Sequence, residues 1–394
     1  MRCLWVTFTD PDPRHNGELI YSGGLIDAVA GAGAKLDVLA SARAGSPRTY
    51  GDGEGNVRWW VVDHPPRPAW ASVASTLPYL AHRAESPAKV RKLREMLAQP
   101  SWDGIVFDGI SAGWALDAIR GHYRNAARRP RMVYISHNHE ASLRRQIAAI
   151  QTNPIMRQVR LWEAYKVARL ERALFDTVDV VTAITPYDRD LYLEDFPGKR
   201  IDVLTPGYGG RSQLNRSITG SLPRRAIIVG SYDWIAKRIN LEEFVKAADP
   251  LFAAAGAQLD VVGSAEESFL EQWRGRVTAT RFTGRVKGVD PYMEQARVAI
   301  VPEQHGGGFK LKVLDYVFNR MPILALAGSV AGVPLRHEES IMLYSSYEEL
   351  ARGVLKVIDD LDRLNHLHDR AFAECQDKFD WQSRGEFLLS ALAA

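Results

Sequence analysis

RVAIVPEQHGGGFKLKVLDYVFNRMPILAL, residues 297–326, contains a strand, a glycine loop, a helix and a second strand in one short span. Residues 298–301 are a short, mostly β-branched run of the kind that is buried in a parallel sheet, and Pro302 ends it. Apolar spacing with a helical period covers 311–318 and stops before Pro322. The segment therefore predicts a βαβ unit, the building block of a doubly wound α/β sheet.

Three glycines at 306–308 lie between this strand and this helix. Glycine lets backbone N–H groups approach a ligand closely, and the N-terminus of a helix adds about half a positive charge. Lys310 and Lys312 add full charges, and the carboxylate of Asp315 can accept hydrogen bonds from sugar hydroxyls. These features together predict a nucleotide site. The alternative is an ordinary tight loop with solvated lysines.

The order of residues in this segment resembles the donor site of family 4 glycosyltransferases, in which the segment binds the donor diphosphate. The resemblance implies two Rossmann-like doubly wound α/β domains facing a cleft, the GT-B fold, and transfer with retention of anomeric configuration. The chain resembles a variant that lacks the first glutamate of the donor motif, where Gly307 stands, and has Asp315 as the second acidic residue. The matching residues are Pro302, Gly306, Gly308, Leu311, Lys312, Leu314, Asp315 and Pro322.

Short apolar strands alternate with helical stretches in the first half of the chain, which predicts a largely parallel sheet. The predicted strands are 3–8, 36–40, 58–62, 104–107, 132–136 and 178–183. The strand pattern restarts at Ile227, after a polar run at 209–220. At 394 residues the chain suits two domains, so we predict an acceptor-binding domain over 1–206 and a nucleotide-sugar-binding domain over 207–378. Residues 379–394 resemble the closing helix of the family, which packs back on the first domain.

Composition excludes several classes of protein. Hydrophobic residues make up 46% and charged residues 25%, as in ordinary soluble globular proteins. The formal charge of +3 is too small to indicate a nucleic-acid partner. Cys3 and Cys375 lie near opposite ends and indicate no disulfide framework, so we predict a reducing, cytoplasmic location.

Basic residues are concentrated in 89–172, which has sixteen Lys and Arg against seven Asp and Glu, a net charge of +9. This segment predicts a peripheral contact with anionic lipid at the inner face of the cell membrane, through helix 88–97 and its basic residues. The alternative is a set of solvated helix faces. The nearby tryptophans belong either to the same surface or to the core; they are Trp59, Trp60, Trp70, Trp102 and Trp114.

His137, Asn138, His139 and Glu140 follow the strand predicted at 132–136. They resemble the H-N-x-E stretch of related transferases, which implies that His137 donates to a hydroxyl of the bound sugar. Glu140 is expected to orient either a helix terminus or the acceptor. Histidines and a glutamate are also metal-ligand types, but the sequence offers no zinc-like partner set for them. We therefore predict no metal.

Asn16 and Gly17 follow the first strand. They resemble the glycine loop that many family 4 enzymes place beside the acceptor, and the alternative is a simple helix start. The helix that follows contains Gly23 and Gly24, which weaken an isolated helix and therefore predict that another element packs close to it.

In the second half, three predicted strands end on glycine, at Gly230, Gly263 and Gly284. Such ends line a ligand site with closely approaching backbone. In the family, the first of these loops supplies basic groups for the donor diphosphate. Here Ser231 stands at the usual arginine position, and Lys237 and Arg238 follow at a helix start, where cations are unfavourable unless an anion is present.

We predict a glycosyltransferase that uses a nucleotide-diphosphate sugar and a saccharide or lipid-linked acceptor, without metal or other cofactor. The alternatives are a catalytically silent nucleotide-sugar-binding partner of another transferase and a sugar-nucleotide epimerase of similar fold. The predicted catalytic residues are His137, Lys237 and Lys312. The predicted acceptor-binding residues are Asn16, Gly17, Asn138 and Glu140. The predicted donor-binding residues are Gly230, Ser231, Arg238, Gly284, Val286, Gly306, Gly307, Gly308, Phe309, Lys310, Leu311 and Asp315.

Overall fold

The structure is a computed structural model, and it describes residues 1–99, 101–304 and 307–393. The chain divides into two compact units. The first comprises Met1–Gly207, Gly307–Phe309 and Asp380–Ala394, and the second comprises Tyr208–Gly306 and Lys310–Phe379. Each unit has its own sheet and its own hydrophobic core.

The first unit is built on an eight-stranded sheet, counted over the described residues. Its strands are β1 (Arg2–Thr9), β2 (Lys35–Ser41), β3 (Tyr50–Glu54), β4 (Val57–Val62), β5 (Gly104–Asp108), β6 (Arg131–Ile135), β7 (Val180–Ala183) and β8 (Ile201–Val203). The strand order is β3-β4-β2-β1-β5-β6-β7-β8, and every pair is parallel except β3 with β4. This order confirms a largely parallel, doubly wound sheet.

Helices cover both faces of this sheet. They are α1 (Gly17–Gly31), α2 (Tyr79–Ala84), α3 (Pro87–Leu97), α4 (Leu116–Tyr123), α5 (Glu140–Ala149), α6 (Pro154–Thr177) and α7 (Pro186–Asp195), with short 3₁₀ helices at Ala69–Ala74 and Ile110–Ala115. Strand β1 shows why both faces are covered. Leu4 and Val6 pack into one apolar cluster, whereas Cys3 and Trp5 pack into another. A strand that is apolar on both faces belongs in the centre of such a sheet.

The second unit has a six-stranded, all-parallel sheet within the described residues. Its strands are β9 (Arg225–Val229), β10 (Gln258–Val262), β11 (Thr280–Gly284), β12 (Val298–Val301), β13 (Ile323–Leu326) and β14 (Met342–Tyr344), in the order β11-β10-β9-β12-β13-β14. Its helices are α8 (Ile235–Ala255), α9 (Glu267–Glu271), α10 (Asp290–Glu294), α11 (Leu311–Phe318), α12 (Tyr347–Val357) and α13 (Leu361–Cys375). The predicted βαβ unit is present as β12, α11 and β13.

The last helix, α14 (Trp381–Ala393), belongs to the first unit and packs along α1. The glycines of α1 make this possible. A Cβ atom on Gly24 would lie 2.3 Å from the ring of Trp381, and one on Gly385 would lie 2.2 Å from the carbonyl oxygen of Ala28. Close helix packing therefore requires glycine at both positions, and for Gly24 this is the closely packed neighbour that the sequence predicts.

Two of the four basic residues predicted to form a docking surface on α3 are buried and cannot meet lipid, whereas Arg91 and Arg94 are exposed. The Nζ atom of Lys89 donates to Ser41 Oγ at 3.1 Å and to the carbonyl of Phe8 at 3.4 Å, at the carboxyl ends of β1 and β2. Burial lowers the pKa of Lys89 to about 7. Lys92 is also buried, with its Nζ 3.6 Å from the ring centroid of Trp60.

The tryptophans near α3 are mainly core residues. Trp59, Trp102 and Trp114 are buried, whereas Trp70 is 80% exposed on the first 3₁₀ helix.

Among the described residues, no helix combines the length and the hydropathy that a membrane span requires.

Candidate functional site

Glycine backbone forms one edge of the second unit, at the carboxyl ends of β9, β10 and β11. Gly230 and Gly263 directly follow β9 and β10, and Gly284 is the last residue of β11. The N–H of Gly230 donates to Val262 O at 3.0 Å, and that of Gly263 donates to Gly284 O at 3.2 Å. Gly263 has φ of +138°, and a Cβ atom there would overlap Gly230 O at 1.7 Å. Only glycine fits, and the edge presents backbone rather than side chains to a ligand.

Two lysines lie at helix starts at this end of the sheet, and one of them pairs with a carboxylate. Lys237 lies in the first turn of α8 and Lys312 in the first turn of α11, where Lys312 forms an ion pair with Glu303. Burial, and then the positive charge of Lys312, lower the pKa of Lys237, whereas Glu303 and Asp233 raise it. Lys237 therefore lies within the electrostatic field of both members of the pair. A second anion would relieve the repulsion between the two ammonium groups.

Arg238 and Ser231 make contacts within their own part of the second unit. The Nε atom of Arg238 donates to the carbonyl of Tyr232 at 2.7 Å, and its guanidinium pairs with Glu266 at 3.0 Å. Ser231 Oγ donates to the carboxylate of Asp233. These contacts order the loop between β9 and α8, so the structure shows both residues as supports of the loop that precedes Lys237.

Asp315 lies in the second turn of α11, near the phenol of Tyr208, whose hydroxyl donates to Arg211 O at 2.9 Å. Burial raises the pKa of Asp315 to about 6, and the nearby phenol of Tyr208 opposes this shift. The ring of Tyr208 stacks on Phe318, with centroids 4.3 Å apart and planes 9° apart. This stacking fixes the ring of Tyr208 beside the carboxylate.

The remaining predicted donor residues lie in the loops around these groups. Val286 follows β11 and is half-buried, Lys310 precedes α11, and Leu311 is its first residue. Gly306 lies outside the described residues. Gly307, Gly308 and Phe309 group with the first unit.

Within the first unit, the segment Gly307–Phe309 contacts the loop that follows β6. Gly308 has φ of +71°, and a Cβ atom there would lie 2.5 Å from Asn138 Oδ1 and 3.0 Å from His137 O. Phe309 packs against the apolar cluster that contains Trp5. The glycine is therefore needed both for its backbone conformation and for its close approach to the His137 loop.

His137 forms a carboxylate–imidazole pair with Asp108. His137 follows β6, and Asp108 is the last residue of the adjacent strand β5. The Nε2 atom of His137 lies 2.7 Å from Asp108 Oδ1. Asp108 is fully buried and also accepts from Trp5 Nε1 at 3.0 Å. Burial alone would lower the pKa of His137, but the hydrogen bond and charge of Asp108, together with the charges of two nearby glutamates, outweigh it and raise that pKa. Since Nε2 faces Asp108, Nδ1 is the ring nitrogen left for a ligand.

The carboxylate of Glu140 points to its own helix and loop. Its Oε1 accepts from Asn138 Nδ2 at 3.1 Å and its Oε2 accepts from Arg144 at 3.2 Å. Both predicted acceptor residues of this loop therefore bond to each other in the structure. This arrangement favours the interpretation in which Glu140 orients the start of α5.

Glu171 on α6 fixes the same helix start. Its carboxylate accepts from the backbone N–H groups of Glu140 and Ala141 at 3.2 and 3.1 Å, and from the hydroxyl of Tyr192 at 2.5 Å. Burial raises the pKa of Glu171 to about 8, although these donors oppose the shift. The His137 loop is therefore held by buried groups on α6 and α7.

Two other predicted site residues have helix-start roles. Asn16 is the N-cap of α1, with its Oδ1 accepting from Leu19 N at 3.0 Å, and Gly17 is the first helical residue. His139 is the N-cap of α5. Within the described residues, no group of three or more His, Cys, Asp or Glu side chains is arranged to bind a metal ion.

Sequence reasoning missed four residues that shape these sites: Asp108, Glu171, Tyr208 and Glu303. Two of them had a local signal. Asp108 directly follows a predicted strand, and Glu303 directly follows Pro302 at the end of another. Carboxylates at the carboxyl ends of parallel strands are natural candidates for a ligand site.

Comparisons with known proteins agree with this architecture. Residues 223–360 match the family model for glycosyl transferases group 1. No curated protein sequence matches the chain. The sucrose-phosphate synthase of Thermosynechococcus elongatus has a similar fold, with a TM-score of 0.71 at 18% identity over 98% of this chain and 97% of that one.

Two further solved structures are similar over the whole chain. HepE of Anabaena, in complex with UDP and glucose, has a TM-score of 0.64 at 14% identity, covering 100% of this chain and 99% of its own. WaaG, a glycosyltransferase involved in lipopolysaccharide biosynthesis, has a TM-score of 0.63 at 15% identity, covering 100% of both chains. The chain therefore has the GT-B fold. The fold and the family match over the second unit support a glycosyltransferase.

Proposed function

We propose that the protein is a retaining glycosyltransferase that moves a hexose from a nucleoside diphosphate to a saccharide or lipid-linked acceptor in the synthesis of a cell-surface polysaccharide or glycoconjugate. The second unit binds the donor, and the first unit binds the acceptor. The observation that carries the proposal is the position of Lys237 and Lys312 in the first turns of α8 and α11, the helices that follow the neighbouring strands β9 and β12, at the same end of the sheet as the glycine backbone edge.

The lysine pair suits a departing diphosphate. In glycosyl transfer, negative charge develops on the diphosphate as the bond to the sugar breaks, and preorganised cations stabilise that charge. Both lysines lie at helix N-termini, where the helix dipoles add to their charge. Two cations fixed in this way supply the stabilisation that a metal ion provides in other phosphate sites, so activity without a metal ion is part of the proposal.

Asp315 suits the ribose. Its carboxylate lies one turn beyond Lys312 on α11, near the phenol of Tyr208. A carboxylate that accepts from two vicinal hydroxyls binds a ribose diol in the way that acidic residues do in other nucleotide sites. HepE binds UDP and UDP-glucose on a similar fold, so UDP-sugars are the first donors to test.

His137 and its Asp108 partner suit the sugar. The imidazole stands at the end of β6 in the first unit, next to the glycine segment Gly307–Phe309. The raised pKa of His137 favours a protonated ring, which donates from Nδ1 to a hydroxyl. We place the enzyme in the cytoplasm, where nucleotide sugars are its donors.

The test begins with a thermal-shift panel of UDP-, GDP- and dTDP-sugars on the full chain. The donor that stabilises the protein is then incubated with lipid extracts and oligosaccharides, and products are identified by mass. An acceptor gain of one hexose supports the proposal, and the anomeric configuration of the product, read by NMR, tests retention. Donor binding without any product indicates a silent partner protein. Conversion of the donor to an epimer indicates an epimerase.

Metal dependence is tested in the same assay. If the two lysines stabilise the departing diphosphate without a metal ion, a chelator should leave the rate of sugar transfer unchanged. Complete inhibition by chelator, restored by one divalent ion, would contradict this part of the proposal.

A further inference from the structure

Helices α5 and α6 form a hairpin whose tip, residues 150–162, exposes an unusual number of apolar side chains. Helix α6 is 24 residues long, and its first buried residue is Ala164. The first ten residues of the helix therefore bury no side chain. The exposed apolar residues of the tip are Ile150, Ile155, Met156, Leu161 and Trp162, and Ile155 is 74% exposed.

Arginines are the exposed charged residues of this hairpin over 141–172, all of which the structure describes. They are Arg145, Arg157, Arg160, Arg169 and Arg172. The two carboxylates of the same span have partners inside the unit. Glu163 accepts from Tyr79 N at 2.5 Å and pairs with Lys166 at 3.0 Å, and Glu171 is buried against the start of α5. The exposed surface of residues 141–172 is therefore apolar and positive, and the exposed Asp176 lies beyond it near the end of α6.

Aromatic residues extend this surface toward the first 3₁₀ helix. Trp162 stacks on Tyr165, with ring centroids 5.4 Å apart, and its Nε1 donates to Val73 O at 3.1 Å. Lys166 Nζ donates to Ser72 O at 2.7 Å, so the 3₁₀ helix with the exposed Trp70 is bonded to the side of α6. Tryptophan and tyrosine prefer the boundary between water and lipid headgroups.

We propose that the tip of the α5–α6 hairpin docks the protein reversibly on an anionic lipid surface. Apolar side chains of a protruding helix enter the headgroup boundary, and arginines beside them attract anionic lipids. The charge pattern commits the surface to an anionic bilayer, because the tip, residues 150–162, contains two arginines and no carboxylate that would repel it. Docking itself does not depend on the proposed function. Only its purpose, access to a lipid-linked acceptor in the bilayer, rests on that function.

Helix α3 provides the matched comparison. It exposes Arg91 and Arg94 in the same unit, but Glu95 is exposed beside them and Lys89 and Lys92 are buried. A double substitution of arginine on α3 changes the net charge by the same amount as one on the hairpin. A difference in vesicle binding between the two variants therefore reports where the arginines lie and not the overall charge of the protein.

The experiment is flotation of the full chain with vesicles of phosphatidylcholine alone or with about one third phosphatidylglycerol. We expect binding to the anionic vesicles at low salt and its loss at high salt, because screening shortens the reach of the charges. A basic residue near such a surface contributes about fivefold to binding. The variant R157Q/R160Q should bind about 25-fold more weakly, and I155S/L161S should lose at least tenfold, whereas R91Q/R94Q should bind like the wild type.

Thermal shift with the donor nucleotide sugar is measured on each variant, so a failure of docking is distinguished from a failure of the proposed function. Donor binding that is unchanged while flotation is lost supports the assignment. The assignment is overturned if wild-type protein does not float with anionic vesicles at low salt. It is also overturned if R91Q/R94Q loses as much binding as R157Q/R160Q, or if the tip residues instead mediate a dimer that binds no vesicles.

Discussion

Replacing Lys312 with methionine separates the structural role of this lysine from its role in transfer. Methionine keeps most of the apolar stem, so the substitution mainly removes the charge. Lys312 and its partner Glu303 have side chains that are only 14% and 10% exposed. Glu303 Oε2 has no hydrogen-bond partner among the described residues, so the variant leaves a largely buried carboxylate with less compensation. We expect the free energy of unfolding to fall by about 1–3 kcal/mol.

The effect on transfer is larger. One preorganised group that stabilises a developing anion contributes about 3–4 kcal/mol, so kcat should fall by roughly 100- to 1000-fold. Replacing Lys237 with methionine should give a similar loss. The two substitutions should combine less than additively, because both lysines act on one leaving group.

The double variant Lys312→Met/Glu303→Gln distinguishes the two roles. It removes the uncompensated carboxylate, so the melting temperature should return toward the wild-type value while kcat stays low. Lys356→Met, at an exposed lysine on α12, is the matched control and should change neither quantity. If the double variant recovers activity together with stability, Lys312 has no role in transfer and is a structural residue only.

Three further predictions concern titratable groups. If Asp315 must be ionised to bind ribose, its pKa of about 6 predicts a donor affinity about tenfold lower at pH 5 than at pH 8. The variant Asp315→Asn should bind the donor weakly in calorimetry, with an affinity that does not change with pH. Lys89 has a folded pKa of about 7, below its unfolded value, so the unfolded chain binds more protons between pH 7 and about 10. Stability should therefore rise over that window by about 2–4 kcal/mol more in the wild type than in Lys89→Met, measured by denaturant titration. Asp108→Asn should lower the pKa of His137 in NMR titrations and reduce kcat more than donor affinity. An unchanged His137 titration would contradict the pairing.

The α/β architecture could be predicted from the sequence because the proline and glycine residues that end elements agree with the spacing of apolar residues within them. Pro302 and Pro322 bound the elements of the central segment, and β12 and α11 occur at the predicted residues. Strand β3 was not predicted, since YGDGE has no apolar alternation and its position depends on antiparallel pairing with β4. Strand β14 is only three residues long, which is too short for a periodic signal.

The missed features depend on contacts between distant parts of the chain. The helical pattern of α3 predicts a basic face, but Lys89 is buried because the ends of β1 and β2 offer it oxygen atoms. The pairing of His137 with Asp108 requires β5 and β6 to be neighbours in the sheet. Glu171 acts on α5 from the next helix, so its role follows from packing and not from any local motif.

Binding of a nucleotide sugar to the second unit is the claim on which the account depends, and titration calorimetry of the full chain tests it most directly. The donor chosen by thermal shift is titrated into wild-type protein, Lys237→Met/Lys312→Met and the control Lys356→Met. We expect binding at one site per chain, roughly tenfold or more weaker in the double lysine variant and unchanged in the control. Equal affinity in all three proteins, or no binding of any UDP-, GDP- or dTDP-sugar to the wild type, would contradict the account.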